Sequence, residues 1–279
     1  KRNIPLIISD QGGLTTHPDL KNGGLIKRVF YKLQSPMIRF VIGQSDKIIV
    51  ANEYEKKIFS ELGGENKIEI IENGINLEKM KSDVDFKKKY AINYDYFLFL
   101  GRFHKVKGID TLLKAMQLIK NHSLMSSVKL VIMGVNFGFE EEMLKMIKEM
   151  NLNDVVKVIK NPPREDVIAA YKESEFLVLP SRWELSPLTP LEGFAFKKPT
   201  ISTKVHGIPY TLDDGKNSIL VESENFNELS DKIIELLNDK TKCRELGING
   251  YEHIRKKCNS QEMVKRILRV YEKASELLR

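Results

Sequence analysis

The sequence is poor in cysteine and histidine. Cys243 and Cys258 are its two thiols, both in polar, helix-patterned surroundings without metal-ligand spacing, and its five histidines are scattered. Neither a disulfide framework nor a metal site is suggested, which fits a reducing compartment. No apolar run reaches the roughly 18 residues that a membrane-spanning helix needs. Lysines are plentiful but dispersed, and aromatics do not alternate with them as on a platform for single strands. Nucleic acid is therefore not the expected partner.

What is present is a basic chain, net charge +7 with pI near 9.1, which suits a phosphate-bearing ligand or an anionic membrane surface. Its 279 residues exceed what one core usually serves, so two domains or one large one are expected. Short β-rich runs alternate with helical patterns. Strands are expected at 5–9, 47–51, 67–71, 96–100, 128–133, 155–159, 176–180 and 199–203. Most are continuously apolar, as parallel strands covered on both faces are. Amphipathic stretches at 108–122, 138–151 and 164–174 fall between them. Strand–helix–strand repetition implies an α/β fold with a doubly wound parallel sheet and right-handed crossovers.

The polar stretch 73–95 reads as a linker. The expected domains are 1–80, 81–258 and a closing helix, 259–279, that packs back towards the first domain. Ser260 is the expected N-cap of that helix, and Met263, Ile267, Val270, Tyr271 and Leu277 its apolar stripe. A strand pattern begins almost at Lys1, so the chain reads as a fragment with an incomplete first domain.

Three loops could carry chemistry. In "LFLGRFHKVKGIDTLLKA" (98–115) a strand ends at Gly101, Arg102 and Lys107 flank a short loop, and Gly108 opens a helix. Ligands of open α/β sheets bind beyond the carboxyl ends of strands, and a helix start with two cations suits phosphate. Taken alone, though, the loop reads better as an ordinary turn with solvated basic residues. In "KLVIMGVNFGFEEEMLK" (129–145) the strand ends at Gly134, and the acidic residues 140–142 complement a helix dipole, which reads as structure. In "PSRWELSPLTPLEGFAFKKPTIST" (180–203) Glu184 stands in a loop past a strand, where nothing local uses a carboxylate. Ser186 or Thr189 could cap the next helix, whose first N–H groups would face an anion. Glu192 stays open between a capping box with Thr189 and a ligand role.

Taken in order, these loops resemble the donor-binding half of the retaining glycosyltransferases of family 4, the "glycosyl transferases group 1", which have the GT-B fold of two Rossmann-like domains. The matching residues are Gly101-Arg102 with Lys107-Gly108, Gly134, Pro180-Ser181, Glu184-x7-Glu192, Phe194-Ala195-Phe196 and Lys198-Pro199-Thr200-Ile201-Ser202. "ENGIN" (72–76) is similar to the family's interdomain segment, and "DDGKNSILVE" (213–222) to a later turn. The resemblance implies a nucleoside-diphosphate-sugar donor as substrate, no cofactor and no metal, in keeping with the lack of an Asp-x-Asp pair in a suitable loop. It implies that Arg102 and Lys107 neutralise the diphosphate beside Gly101 and Gly134. Glu184 would bind the sugar, Glu192 the ribose, and the backbone of Leu188 and Thr189 the phosphates. Glu184, Arg102 and Lys107 would be the catalytic group. Transfer of a hexose to a glycan, lipid-linked or small-molecule acceptor would retain anomeric configuration, the departing phosphate helping to deprotonate the acceptor.

The chain departs from the family where many members read Glu-Gly-Phe-Gly-Leu: here Pro187 removes an N–H. An early acceptor-side histidine is replaced by Gln11 or Asp10, with His17 six residues beyond Gln11. Residues 24–43 mix Lys27, Arg28, Lys32 and Arg39 with large apolar side chains, as interfacial helices do, but Pro36 interrupts the pattern and such helices more often pack inside a domain. Peripheral contact of a cytoplasmic protein with the inner face of a membrane is the lesser alternative. The rival readings are a nucleotide-sugar epimerase and a non-catalytic nucleotide-sugar-binding or scaffold subunit.

Overall fold

Each of the eight apolar runs becomes a strand. The computed structural model of the chain describes residues 4–9 and 25–276, without the side chains of 25–28 and 30–32. Asp10, Gln11, His17 and Leu277, and the side chains of Lys27, Arg28 and Lys32, lie outside what is described. The chain divides into two compact units, Lys1–Gly74 with Lys257–Arg279, and Ile75–Lys256.

The larger unit holds β4 (Asp95–Leu100), β5 (Val128–Gly134), β6 (Val156–Lys160), β7 (Leu177–Leu179), β8 (Thr200–Thr203) and β9 (Ser218–Val221), all parallel, in the order β6-β5-β4-β7-β8-β9. The ninth strand was not expected: "SILV" is short and follows a polar turn. Asp214 fixes it by accepting from the Leu220 N–H at 2.9 Å. Continuous apolarity has the cause expected. Tyr96, Phe97, Leu98 and Phe99 of β4 are fully buried, so both faces of the strand are covered. On one face, Phe97 stacks on Phe176 at 5.2 Å, beneath Leu112, Leu113 and Met116 of the helix Ile109–Ile119. Truncating one such residue, as in Leu112→Ala, is expected to cost about 2–5 kcal/mol, because both the transfer energy and the packing are lost.

The stretch read as a linker is instead largely folded onto this unit. Ile75, Met80, Phe86 and Ile92 are buried. The Glu173 carboxylate accepts from the Phe86 and Lys87 N–H groups, and buried Asp166 from the Lys89 ammonium and the Tyr90 hydroxyl. Its apolar residues are irregularly spaced, one per turn or loop, so no periodic pattern betrays them.

The smaller unit has a parallel sheet, β1 (Ile7–Ser9), β2 (Lys47–Val50) and β3 (Ile68–Ile70), in that order. The helix Leu25–Gln44 seats Ile42 against Ile48 and Phe59, but Leu33, Met37 and Phe40 are exposed. Among the described residues no helix is long and apolar enough to cross a membrane. The last helix, Ser260–Glu276, lays Met263, Ile267 and Val270 on Ile49 and Ile71, while Tyr271 is about half exposed and outside that seam. Its cap is Asn259 rather than Ser260: the Asn259 side chain accepts from the Gln261 and Glu262 N–H groups, one residue earlier than the pattern suggested.

Candidate functional site

From β4 the larger unit winds outward through β5 to β6, then returns to β7 on the other side of β4. At such a reversal the loops leaving the two central strands turn opposite ways and a crevice opens beyond their carboxyl ends. The loops that leave there are 101–108 and 180–187, the two that sequence singled out.

Close backbone approach explains their glycines. A Cβ on Gly108 would stand 1.9 Å from the Pro180 carbonyl oxygen, and its φ of +67° is left-handed besides. A Cβ on Gly134 would lie 1.8 Å from the Gly101 carbonyl oxygen. The loop after β4 is thus pressed between the loop after β5 and the exit of β7. Side chains complete the fastening. The Arg182 guanidinium makes a two-pronged pair with Asp110 at 2.7 Å, donates to the Lys105 carbonyl at 2.6 Å and reaches Glu224 at 2.8 Å. The Arg182 N–H bonds the Val106 carbonyl at 2.7 Å. Asp110 is held below its ordinary pKa: burial would raise it, but the bonds from Arg182 outweigh burial.

This fastening delivers Lys107. Its ammonium meets Glu184 Oε1 at 2.5 Å, and the Ser181 hydroxyl donates to the same oxygen at 2.9 Å. The two charged side chains are only 14% and 11% exposed, so each compensates the other where water is largely excluded. The Glu184 carbonyl accepts from the Gly207 N–H at 3.1 Å, which joins the loop after β8 to the group.

Arg102 is exposed on the neighbouring loop, its guanidinium 5.0 Å from the centre of the Phe137 ring. Leu188 and Thr189 open the helix Leu188–Phe194. That helix starts after Pro187 with no side-chain cap, so neither Ser186 nor Thr189 is its N-cap and the capping box of Thr189 and Glu192 does not form. Proline fixes the entry dihedral by itself, and Thr189 falls inside the first turn. Glu192 turns elsewhere: Oε1 accepts from Arg164 at 2.6 Å and Oε2 from the Tyr171 hydroxyl at 2.8 Å.

The structure therefore joins Lys107 directly to Glu184, sets Arg102 over Phe137 in the braid of Gly101 and Gly134, and gives Glu192 two partners on the helix Arg164–Glu173. Sequence reasoning missed Arg182, Asp110, Arg164 and Tyr171, and gave Ser181 a place in a motif but no role. Arg182 stands two residues before Glu184, a proximity that could have drawn attention to it. Arg164 and Tyr171 sit in a segment read only as amphipathic. Burial pushes the thiols up, Cys243 to about 11 and Cys258 to about 12, so neither is a ready nucleophile. Among the described residues no group of three or more His, Cys, Asp or Glu side chains is placed to hold a metal ion.

Comparison with known proteins identifies the family and the fold. The family model described as "Glycosyl transferases group 1" matches residues 81–253. An uncharacterized glycosyltransferase of Methanocaldococcus jannaschii is 32% identical over 239 residues, 85% of this chain and 62% of that protein. The capsular polysaccharide biosynthesis glycosyltransferase CapM of Staphylococcus aureus is 28% identical over 230 residues, 78% of this chain and 58% of its own length. The chain thus spans about three fifths of the length of these two relatives. Among solved structures, sucrose-phosphate synthase from Thermosynechococcus elongatus superposes with a TM-score of 0.80 at 22% identity, over 96% of this chain and 67% of that one. Anabaena HepE in complex with UDP and glucose gives 0.80 at 16% identity, over 96% and 71%. These likenesses show the fold, that of GT-B glycosyltransferases.

Proposed function

The chain belongs to the glycosyl transferases group 1 family, and on that premise we propose that it moves a hexose from a nucleoside-diphosphate sugar to a glycan, lipid-linked or small-molecule acceptor. In this reading it is a family 4 member, retains anomeric configuration and needs no metal. Residues 81–258 carry the donor, and the unit that contains 1–74 belongs to the acceptor side.

One observation carries the reading: Lys107 and Glu184 meet, shielded from water, at the reversal point of the sheet. Breaking the anomeric C–O bond leaves growing negative charge on the departing diphosphate. A fixed ammonium where water is scarce stabilises that charge more in the transition state than in the ground state, which is what accelerates the step. Lys107 does this, and exposed Arg102 adds a second cation for the diphosphate. Glu184, held by Lys107 and Ser181, accepts hydrogen bonds from hydroxyls of the transferred sugar and so fixes its reacting face. Glu192 accepts from the ribose, and the N–H groups of Leu188 and Thr189 point to the phosphates. The leaving phosphate takes the acceptor's proton. The UDP and glucose in the HepE structure support a donor of this class.

The test is a panel of nucleotide sugars, read by thermal shift and by release of free nucleotide. At least one donor should stabilise the chain and be hydrolysed or transferred, with chelator leaving the rate unchanged. Glu184→Ala should lower turnover by at least about 10²-fold. Turnover that Glu184→Ala leaves unchanged, or no stabilisation by any member of the panel, would refute the proposal. Peripheral membrane contact falls to the exposed Leu33, Met37 and Phe40 of the helix Leu25–Gln44, and absence of co-sedimentation with anionic liposomes would remove it.

A further inference from the structure

Glu192 is held from outside every motif that the family reading uses. Arg164 and Tyr171 are seven residues apart on the helix Arg164–Glu173, hence on one face two turns apart. The helix Leu188–Phe194 brings Glu192 to that face. Arg164 occupies Oε1 at 2.6 Å and Tyr171 occupies Oε2 at 2.8 Å, so each carboxylate oxygen accepts one bond from the protein. A carboxylate has about four lone-pair directions, two per oxygen, so one remains on each. Two acceptors side by side, one per oxygen, match two hydroxyls on neighbouring carbons.

The hold is rigid on one side and open on the other. The Tyr171 side chain is fully buried, and its ring stacks on Phe196 at 6.4 Å and 13°. Burial first, and then the Glu192 charge, raise the Tyr171 pKa far above the usual phenol, so the hydroxyl stays a donor. Arg164 is about half exposed and Glu192 is 17% exposed. A single donor would leave the carboxylate plane free to rotate about the side-chain bond, whereas two donors on different oxygens fix it.

We infer that Arg164 and Tyr171 are positioning residues that set the Glu192 carboxylate to receive both hydroxyls of a vicinal diol, the ribose of the donor nucleotide. This deepens the donor-site reading and rests on the role given there to Glu192. It differs from a plain tie between two helices in one measurable respect: the pair governs discrimination between ribose and a sugar without those hydroxyls.

The experiment is calorimetric titration of the full chain with UDP, ADP and GDP, each against its 2′,3′-dideoxy counterpart, taking the base that binds best. Wild type should prefer the ribose form about tenfold or more, the effect of two hydrogen bonds to a charged acceptor. Arg164→Met and Tyr171→Phe should each reduce that preference to about twofold, while Arg164→Lys keeps most of it. In a Glu192→Gln background, Arg164→Met should cause no further loss of preference. If Arg164→Met and Tyr171→Phe weaken both nucleotides equally and leave the preference intact, the two residues only tie the helices and the inference is wrong. If wild type shows no preference, or Glu192→Gln leaves it intact, the reading of Glu192 falls and takes the inference with it. That pattern is visible before either positioning residue is changed.

Discussion

Glu184 and Glu192 are eight residues apart, yet they are held in different ways. Glu184 is met by Lys107 and Ser181, both from loops that leave central strands, and its side chain is 11% exposed. Glu192 is met by Arg164 and Tyr171, both from a helix outside those loops, and it faces solvent more. In the first case two motif residues are each other's partners, so each is compensated before any ligand arrives. In the second, the partners are structural and leave the carboxylate free to accept more. The drier pair suits charge that changes during reaction, and the wetter one suits recognition that does not change.

The largest effect should fall on the drier pair. Lys107→Ala and Glu184→Ala should each lower kcat/KM by at least about 10²-fold, the scale of losing one preorganised charge contact. The double variant should lose less than the two single losses combined, because either change already breaks the shared contact. Additive losses in steady-state kinetics would show that the two side chains act separately. Next comes the backbone that presents Lys107. Gly108→Ala must relieve a contact with the Pro180 carbonyl and hold alanine at a positive φ, for about 2–4 kcal/mol of stability in urea unfolding.

Asp166 lies on the helix that carries Arg164 and Tyr171 but bonds Lys89 and Tyr90 instead of Glu192, so it serves as a control for folding. Burial raises its pKa, but bonds from Lys89 and Tyr90 outweigh that and the net shift is downward. A group depressed in the folded state contributes stability above its unfolded pKa and loses it as pH falls through the folded value. Asp166→Asn should therefore lower Tm at neutral pH, by about 1–2 kcal/mol in free energy. On acidification from about pH 5 to 3 its Tm should fall less than that of wild type. The smallest effect belongs to Arg102, exposed and stacked on Phe137: Arg102→Ala should weaken nucleoside-diphosphate binding by about three- to tenfold and more at low salt than at high.

Strand positions were legible because parallel strands covered on both faces must be continuously apolar, as Tyr96–Phe99 are. Glu184 stood out because nothing in its local sequence uses a carboxylate there, whereas Lys107, in a loop that reads by itself as an ordinary turn, drew attention only through the family resemblance. The partners of Glu192 were not legible, since Arg164 and Tyr171 look like the ordinary polar end and buried ring of an amphipathic helix. The packing of 75–92 was hidden for another reason: Phe86 and Ile92 anchor it singly, where periodicity has nothing to count. Thr189 and Glu192 had the spacing of a capping box, but Pro187 had already set where the helix begins.

A crystal structure of the chain with a bound nucleoside diphosphate is the most direct measurement. The account predicts phosphate oxygens about 3 Å from the Lys107 ammonium and within reach of the Arg102 guanidinium, beyond the ends of β4 and β7. A diphosphate lodged on another face, with Lys107 still paired to Glu184 and touching no ligand, would contradict it.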